Sequence, residues 1–349
     1  MVYTHILSNI NSTRFFTKMI NNIQLLRALA VLMVIANHSS GLVYKYGFNA
    51  DGFLQVGHWG ACGVDIFFVI SGYIMAMIDK VKSKTPASFI KDRFVRIVPV
   101  YWIFTLLMIF MQAVYPEAFR EGLFTNEQNI SSMLFISYLL GYDYPTIYVG
   151  WSLELEMTFY AIFALCLFIR NQFIKISLLV ALIFILSFLG FMRPVAVEFS
   201  FGILLYYLVN GLKIENKLSA FWFIPLIVTL VTMLMISDMP IDLVSWSRPL
   251  VIGIISFAMV AFSIACVDLR KGFFTYIGDA SYSIYLVQVF SLPIIMKLSV
   301  KLLHGMDGIY AFMISIIFTV LSGVIFHECV EKNIINLVKR KPLKFFNFG

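Results

Sequence analysis

The stretch LLRALAVLMVIANHSSG, residues 25–41, is as apolar as a membrane span, yet it carries Arg27 and His38. Ionisable side chains are costly in hydrocarbon, and those that persist there face a protein-lined or water-filled interior. Eleven residues at 100° each make three turns plus about 20°, so the two side chains share one helix face. A rise of about 1.5 Å per residue separates them by roughly 16 Å, near half the thickness of a bilayer core. This face links a cation near one membrane edge to a base near the middle. Read alone, the pair also fits an arginine snorkelling to lipid headgroups and a histidine making one interhelical hydrogen bond.

The whole chain of 349 residues shares this character: 60% hydrophobic, 13% charged, mean hydropathy +0.89. A soluble domain carries about twice that charged fraction. The apolar runs are of helix-spanning length and lack the short alternating segments of a membrane β-barrel. The sequence therefore predicts an all-α membrane protein, a bundle of about ten transmembrane helices. They are expected near 23–43, 61–79, 97–114, 150–169, 174–191, 195–210, 220–236, 249–267, 279–297 and 309–330. The stretch 130–148 is short and broken by Gly141 and Pro145, and reads as a re-entrant or surface segment. The expected divisions are a segment 1–22, a membrane domain 23–331 and a basic tail 332–349. Residues 1–22 lack the apolar core of a signal peptide, and Met19 is an alternative start. The four cysteines lie singly in apolar runs and read as buried small hydrophobes, with no metal site expected.

Ten spans place both termini on one side. Of the 26 Lys and Arg, 20 then fall on that side and six on the other: Lys45, Arg120, Arg193, Arg248, Lys297 and Lys301. The positive-inside rule makes the basic side cytoplasmic. The net charge of +7 is thus mostly topological and calls for no nucleic-acid partner.

Three further stretches place polar groups where lipid disfavours them. GVDIFFVISGY (63–73) holds Asp65 at the expected start of the second span, where a carboxylate suits the helix dipole or supports His38 from the neighbouring helix. KDRFVRIVPVYW (91–102) sets Arg93 and Arg96 three residues apart before Pro99, on one face, as a planar-fork clamp for phosphate. GWSLELEMTFY (150–160) offers Ser152 as an N-cap and Glu154 in the first turn near the surface. Glu156 lies about 200° round the helix from Glu154 and shares a face with Tyr160, making it the interior candidate. His5, His58, His304 and His327 sit in tails, loops or near membrane edges and read as bland.

These stretches, LLRALAVLMVIANH, GVDIFFVISGY, FIKDRFVRIVPVYW, WSLELEMTFY and YIGDASYSIYLVQ, follow one another over about residues 22–331. In order and spacing they resemble the acyltransferase-3 family of bacterial membrane proteins, in its short form without an appended hydrolase domain. The resemblance implies a multi-pass protein of the bacterial inner membrane. It would move an acyl group, most often acetyl, from cytoplasmic acyl-CoA to a hydroxyl of a surface glycan or its lipid-linked precursor. It implies His38 as catalytic base or acyl relay, with Asp65 or Glu156 supporting it, and Arg27, Arg93 and Arg96 as ligands of CoA. Tyr101, Trp151, Tyr160, Ser281, Tyr282 and Gln288, in the same stretches, are candidates for substrate contact. Many members carry a histidine where this chain has Gln288, which hydrogen-bonds but does not titrate usefully. A transporter or flippase of a lipid-linked glycan, performing no chemistry, is the competing class.

Overall fold

The computed structural model describes residues 2–48, 59–81, 85–119, 122–211, 227–229, 231–232, 242–265, 271–302 and 307–340. Side chains are described from Asn21 onward, except those of 118, 265 and 338–340. All regular structure among the described residues is helical. Helix α1 is Val2–Lys45, α2 Gly63–Val81, α3 Pro86–Val114, α4 Asn126–Leu134, α5 Trp151–Cys166, α6 Gln172–Phe188 and α7 Val197–Gly211. Then come α8 Ile254–Ala265, α9 Phe273–Asp279, α10 Ser281–Leu302, α11 Gly308–Phe326 and α12 Lys332–Arg340. Seven helical stretches are long and apolar enough to cross a membrane, and Gln172–Phe188 and Pro249–Ile264 are shorter apolar helices. The expected span near 220–236 lies largely outside the described residues. The expectation of about ten thus stands at seven full-length spans and two shorter helices.

Pairwise contacts set the helix directions. Arg27 meets Ser281, His38 meets Gln288, and Val43 packs with Met296, so α1 and α10 run parallel. Tyr282 reaches the Ile97 carbonyl and Phe104 stacks on Phe290, which adds α3 to the same direction. In the opposite sense run α2, α5 and α11: Gly63 abuts Ala30, Phe89 stacks on Phe163 while Tyr101 touches Gly150, and Ser291 and Ser283 meet Thr319 and Glu331. The start of the α1 span and the end of α11 therefore share one face of the bundle. It is called the basic face here, for Arg27, Arg93 and Arg96.

Polar groups lie within the largely apolar interior of the bundle, and large apolar side chains also stand on its outside. Ser39 and Ser315 share a 2.5 Å hydrogen bond in the interior, and Ser291 and Thr319 one of 2.9 Å. Meanwhile Phe110, Phe168, Phe188 and Ile325 stand exposed, as side chains facing lipid would. Glycine permits a close approach between α2 and α7. A Cβ on Gly202 would lie 2.0 Å from the Val69 carbonyl oxygen, and one on Gly72 2.0 Å from that of Phe199. Gly202→Leu is expected to separate these helices at a cost of about 3 kcal/mol or more. The check is a lowered thermal midpoint in detergent, with Gly211→Ala, where no atom lies within 4 Å, as the neutral control.

Several local expectations are corrected. Helix α3 begins not near 97 but at Pro86, capped by the Thr85 hydroxyl, which accepts from Ser88 N. Pro at the first helical position is pre-shaped for that role. Pro99 then lies inside the helix and does not set its start, and Arg93 and Arg96 project from within the span. Ser152 is not the N-cap of α5; that place falls to Gly150. Cys329 is exposed, whereas Cys62 and Cys166 are buried. As expected, residues 130–148 form no span: α4 ends at left-handed Phe135, and short 3-10 turns follow at Tyr138–Leu140 and Tyr148–Gly150. Glu154 is buried rather than near the surface, and accepts from the amides of Ser137 and Tyr138 at 2.9 and 3.2 Å, pinning that segment.

Candidate functional site

On the basic face a cavity of about 770 Å³, counting the space at its mouth, is lined by Arg27, Arg93, Arg96, Glu156, Tyr160, Ser281, Tyr282 and Tyr285 among others. Arg27 donates to the Ser281 hydroxyl at 2.8 Å and to the Gln24 amide oxygen at 3.3 Å. Arg93 is buried with its guanidinium 5.9 and 5.8 Å from the Phe89 and Tyr160 ring centres, and its Nε has no hydrogen-bond partner among the described residues. Glu156 accepts from Ser71 at 3.0 Å and from Tyr160. The ion pairs formed among the described residues involve none of the three arginines. Three guanidinium groups, Arg93 buried and Arg27 and Arg96 half-buried, thus line one cavity with a single carboxylate. A buried cation without a counter-ion is costly unless a ligand supplies the charge.

At the opposite face lies a wider cleft of about 3600 Å³, again counting its mouth, bordered by His38, Asn37, Tyr144, Tyr148 and Lys297 among others. His38 is half-buried. Its Nδ1 lies 3.0 Å from the Gln288 Oε1, and the Tyr148 ring meets it edge-on at 5.2 Å. Gln288 is fully buried, and its Nε2 donates to the Tyr285 carbonyl at 2.8 Å. That second bond orients the amide so that its oxygen faces the imidazole. An acceptor there requires Nδ1 to carry the proton, leaving Nε2 with its lone pair.

No side chain among the described residues lines both cavities. Between them stands Tyr285, whose hydroxyl hydrogen-bonds to Ser152 Oγ and the Val149 carbonyl, both at 2.8 Å. The expected single path from guanidinium pair to imidazole is thus interrupted by a hydrogen-bonded tyrosine.

Neither expected carboxylate partners His38. Glu156 belongs to the arginine cavity. Asp65, fully buried, is held by Arg248 through Nε at 3.0 Å and Nη2 at 2.7 Å. Planar guanidinium and carboxylate match in this two-bond pairing, so Arg248 supplies the counter-charge that Asp65 lacked in the sequence reading. Breaking such a buried pair from one side typically costs about 3–5 kcal/mol. Asp65→Ala is expected to lower the thermal midpoint sharply, with the loss largely restored in Asp65→Ala/Arg248→Met; equal instability of the two variants would refute this.

Of the remaining candidates, Tyr282 and Ser281 line the basic cavity, whereas Tyr101 and Trp151 line neither cavity. Tyr101 is fully buried against Ser132, and Trp151 packs on Phe68 and Arg193. His327 is not bland: with Ser283 it engages the Glu331 Oε2, at 2.7 and 2.5 Å, within a π-helical turn His327–Glu331. Tyr285 escaped the sequence reading, although Ser281, Tyr285 and Gln288 follow the i, i+4, i+7 rule of one helix face. Arg248, distant in sequence from Asp65, gave no such signal.

The sequence profile of the acyltransferase-3 family, described as an acyltransferase domain, matches residues 20–328. The chain belongs to the acyltransferase-3 family. Within it, this member is 33% identical over 264 residues to the exopolysaccharide production protein ExoZ of Rhizobium meliloti, covering 68% of this chain and 78% of that one. It is 31% identical over 178 residues to the peptidoglycan O-acetyltransferase OatA of Listeria monocytogenes, covering 47% of this chain and 26% of the relative. No solved structure matches. As an acyltransferase-3 member this chain is a multi-pass membrane acyltransferase, and its two cavities are where that chemistry is to be sought.

Proposed function

We propose that this chain is an O-acyltransferase of the bacterial inner membrane. It would carry an acetyl or another short acyl group from cytoplasmic acyl-CoA to a hydroxyl of a surface polysaccharide or its lipid-linked precursor. The observation that carries the reading is the basic cavity, where three arginines without ion-pair partners among the described residues meet a single carboxylate. The phosphates of CoA supply the missing negative charge, and guanidinium forks suit them. The excess of Lys and Arg at this end makes it cytoplasmic, so the His38 cleft opens outward and receives the glycan. In this reading the acyltransferase unit spans about residues 23–331, between the segment 1–22 and the basic tail 332–349.

In the reaction the acceptor hydroxyl oxygen attacks the thioester carbonyl. A C–O bond forms, the C–S bond breaks, and CoA leaves as thiolate. His38 Nε2 takes the hydroxyl proton as general base, and the imidazolium returns it to the thiolate. Alternatively Nε2 attacks the thioester first, forming a C–N bond as the C–S bond breaks and CoA leaves as thiolate. The acceptor oxygen then attacks the acyl group, the C–N bond breaks, and the hydroxyl proton passes through water to the thiolate. Gln288 holds the tautomer that either route needs. For the acyl group to reach His38, Tyr285 must break its bonds to Ser152 and the Val149 carbonyl and turn aside.

The test is ligand-induced stabilisation. A ligand that binds only the folded state at a hundred times its Kd adds about 2.7 kcal/mol, and CoA is expected to raise the thermal midpoint of the purified protein by several degrees. A carrier performing no acyl transfer has no site for CoA. The absence of any shift at saturating CoA favours that class and contradicts the proposal.

A further inference from the structure

The outward cleft carries charge as well as His38. Six cations were expected on this side, and the side chains of five are described. Two are spent on the fold. Arg248 grips Asp65, and Arg193 lies 4.8 Å from the Tyr138 ring centre while donating to the Asp143 carbonyl. Lys45, Lys297 and Lys301 all border the cleft and all are exposed. Lys297 and Lys301 stand one turn apart on α10, on one helix face, and neither belongs to an ion pair formed among the described residues. Lys45 comes from the last turn of α1, which packs alongside α10. The carboxylates bordering the cleft are Glu117, in a short 3-10 turn Pro116–Ala118, and Asp143, in a loop; neither is on α10.

Distance along the helices places this charge relative to the chemistry. Lys297 and Lys301 follow Gln288, the partner of His38, by nine and thirteen residues, which is roughly 14 and 20 Å along α10. Lys45 follows His38 by seven residues, roughly 10 Å. Tyr144 and Tyr148 line the cleft, and Tyr148 also touches the imidazole ring. A tyrosine presents an apolar face and a polar tip, which suits a sugar ring.

From this we propose that the acceptor is an extended anionic saccharide. Its phosphoryl or carboxylate group sits at Lys297 and Lys301 while an uncharged sugar ring lies against Tyr148 with its hydroxyl at His38. The proposal rests on the acyltransferase reading for the role of His38, but the anion site itself is testable without turnover. Exposed lysines gain from a counter-charge at a distance and lose that gain in salt, so they act on acceptor capture rather than on the bond-forming step.

The experiment uses the full chain in nanodiscs of phosphatidylcholine, which offer no net lipid charge. Binding of tetragalacturonate, inorganic pyrophosphate and neutral maltotetraose is measured by calorimetry, with CoA binding as a control for the opposite cavity. The expected result is that one of the charged probes binds at least about tenfold tighter than maltotetraose. This advantage is lost in K297Q/K301Q and, in the unmodified protein, at high ionic strength, while CoA binding is unchanged. A preference for pyrophosphate identifies a phosphoryl source, as in a lipid-linked precursor, and one for tetragalacturonate an acidic sugar. Equal binding of charged and neutral probes overturns the proposal, as does an advantage that survives in K297Q/K301Q. So does a K297Q/K301Q protein whose sole loss is co-purifying phosphatidylglycerol, which would make the lysines headgroup anchors. Failure of the unmodified protein to bind CoA counts against the acyltransferase reading instead, and leaves the probe comparison standing.

Discussion

His38→Ala is expected to lower the rate of acyl transfer by about 10²–10⁴-fold, the usual worth of a positioned general base. CoA affinity and the thermal midpoint should stay near those of the unmodified protein. The imidazole is half-buried and, among the described residues, hydrogen-bonds through its side chain to Gln288 alone, so its removal takes little from the bundle. Should His38 be an acyl relay, the loss will be larger, because no covalent intermediate can then form. Gln288→Leu is expected to give a smaller loss in kcat with the KM for acyl-CoA unchanged, since it releases the ring tautomer without removing the ring. The two variants are compared by transfer of labelled acyl group to an acceptor glycan. Full activity in His38→Ala would remove the imidazole from the mechanism.

The second large effect is expected at the basic cavity. Hydrogen bonds to charged groups contribute about 1.5–3 kcal/mol each, so Arg93→Ala/Arg96→Ala should weaken CoA binding by about a hundredfold or more. The effect should fall on KM for acyl-CoA and on the CoA-induced thermal shift, not on KM for the acceptor. Arg93 is the more sensitive of the two. It is buried against Phe89 and Tyr160 with its Nε unpartnered among the described residues, so lysine there keeps the charge but loses the fork and the ring stacking. A change confined to acceptor KM would refute the assignment of this cavity to CoA.

Much of this arrangement is legible in sequence because it follows from helix periodicity. Arg27 and His38 on one face, Arg93 with Arg96, and Glu156 with Tyr160 are relations within single helices, and each holds in the structure. Relations between helices are a different matter. Asp65 read as a partner for His38 because the first two spans are neighbours, yet it is claimed by Arg248, 183 residues away in sequence. Local pattern carries no term for that competition. The start of α3 was missed for another reason: Pro99 looked like an N-terminal proline, while Pro86, behind a Thr85 cap, sat in polar sequence that hydropathy does not mark as span. The separation of the two cavities by Tyr285 depends on one hydroxyl reaching α5, which is a matter of packing rather than pattern.

The most direct measurement follows the acyl group across the membrane. The purified protein is placed in sealed vesicles with labelled acetyl-CoA on the basic face and an acceptor glycan on the other. The account predicts a base-labile labelled ester on the glycan in the compartment that never held CoA, and its absence when His38 is replaced by alanine. Glycan that crosses the bilayer unmodified, or ester formed only on the side holding CoA, would contradict it.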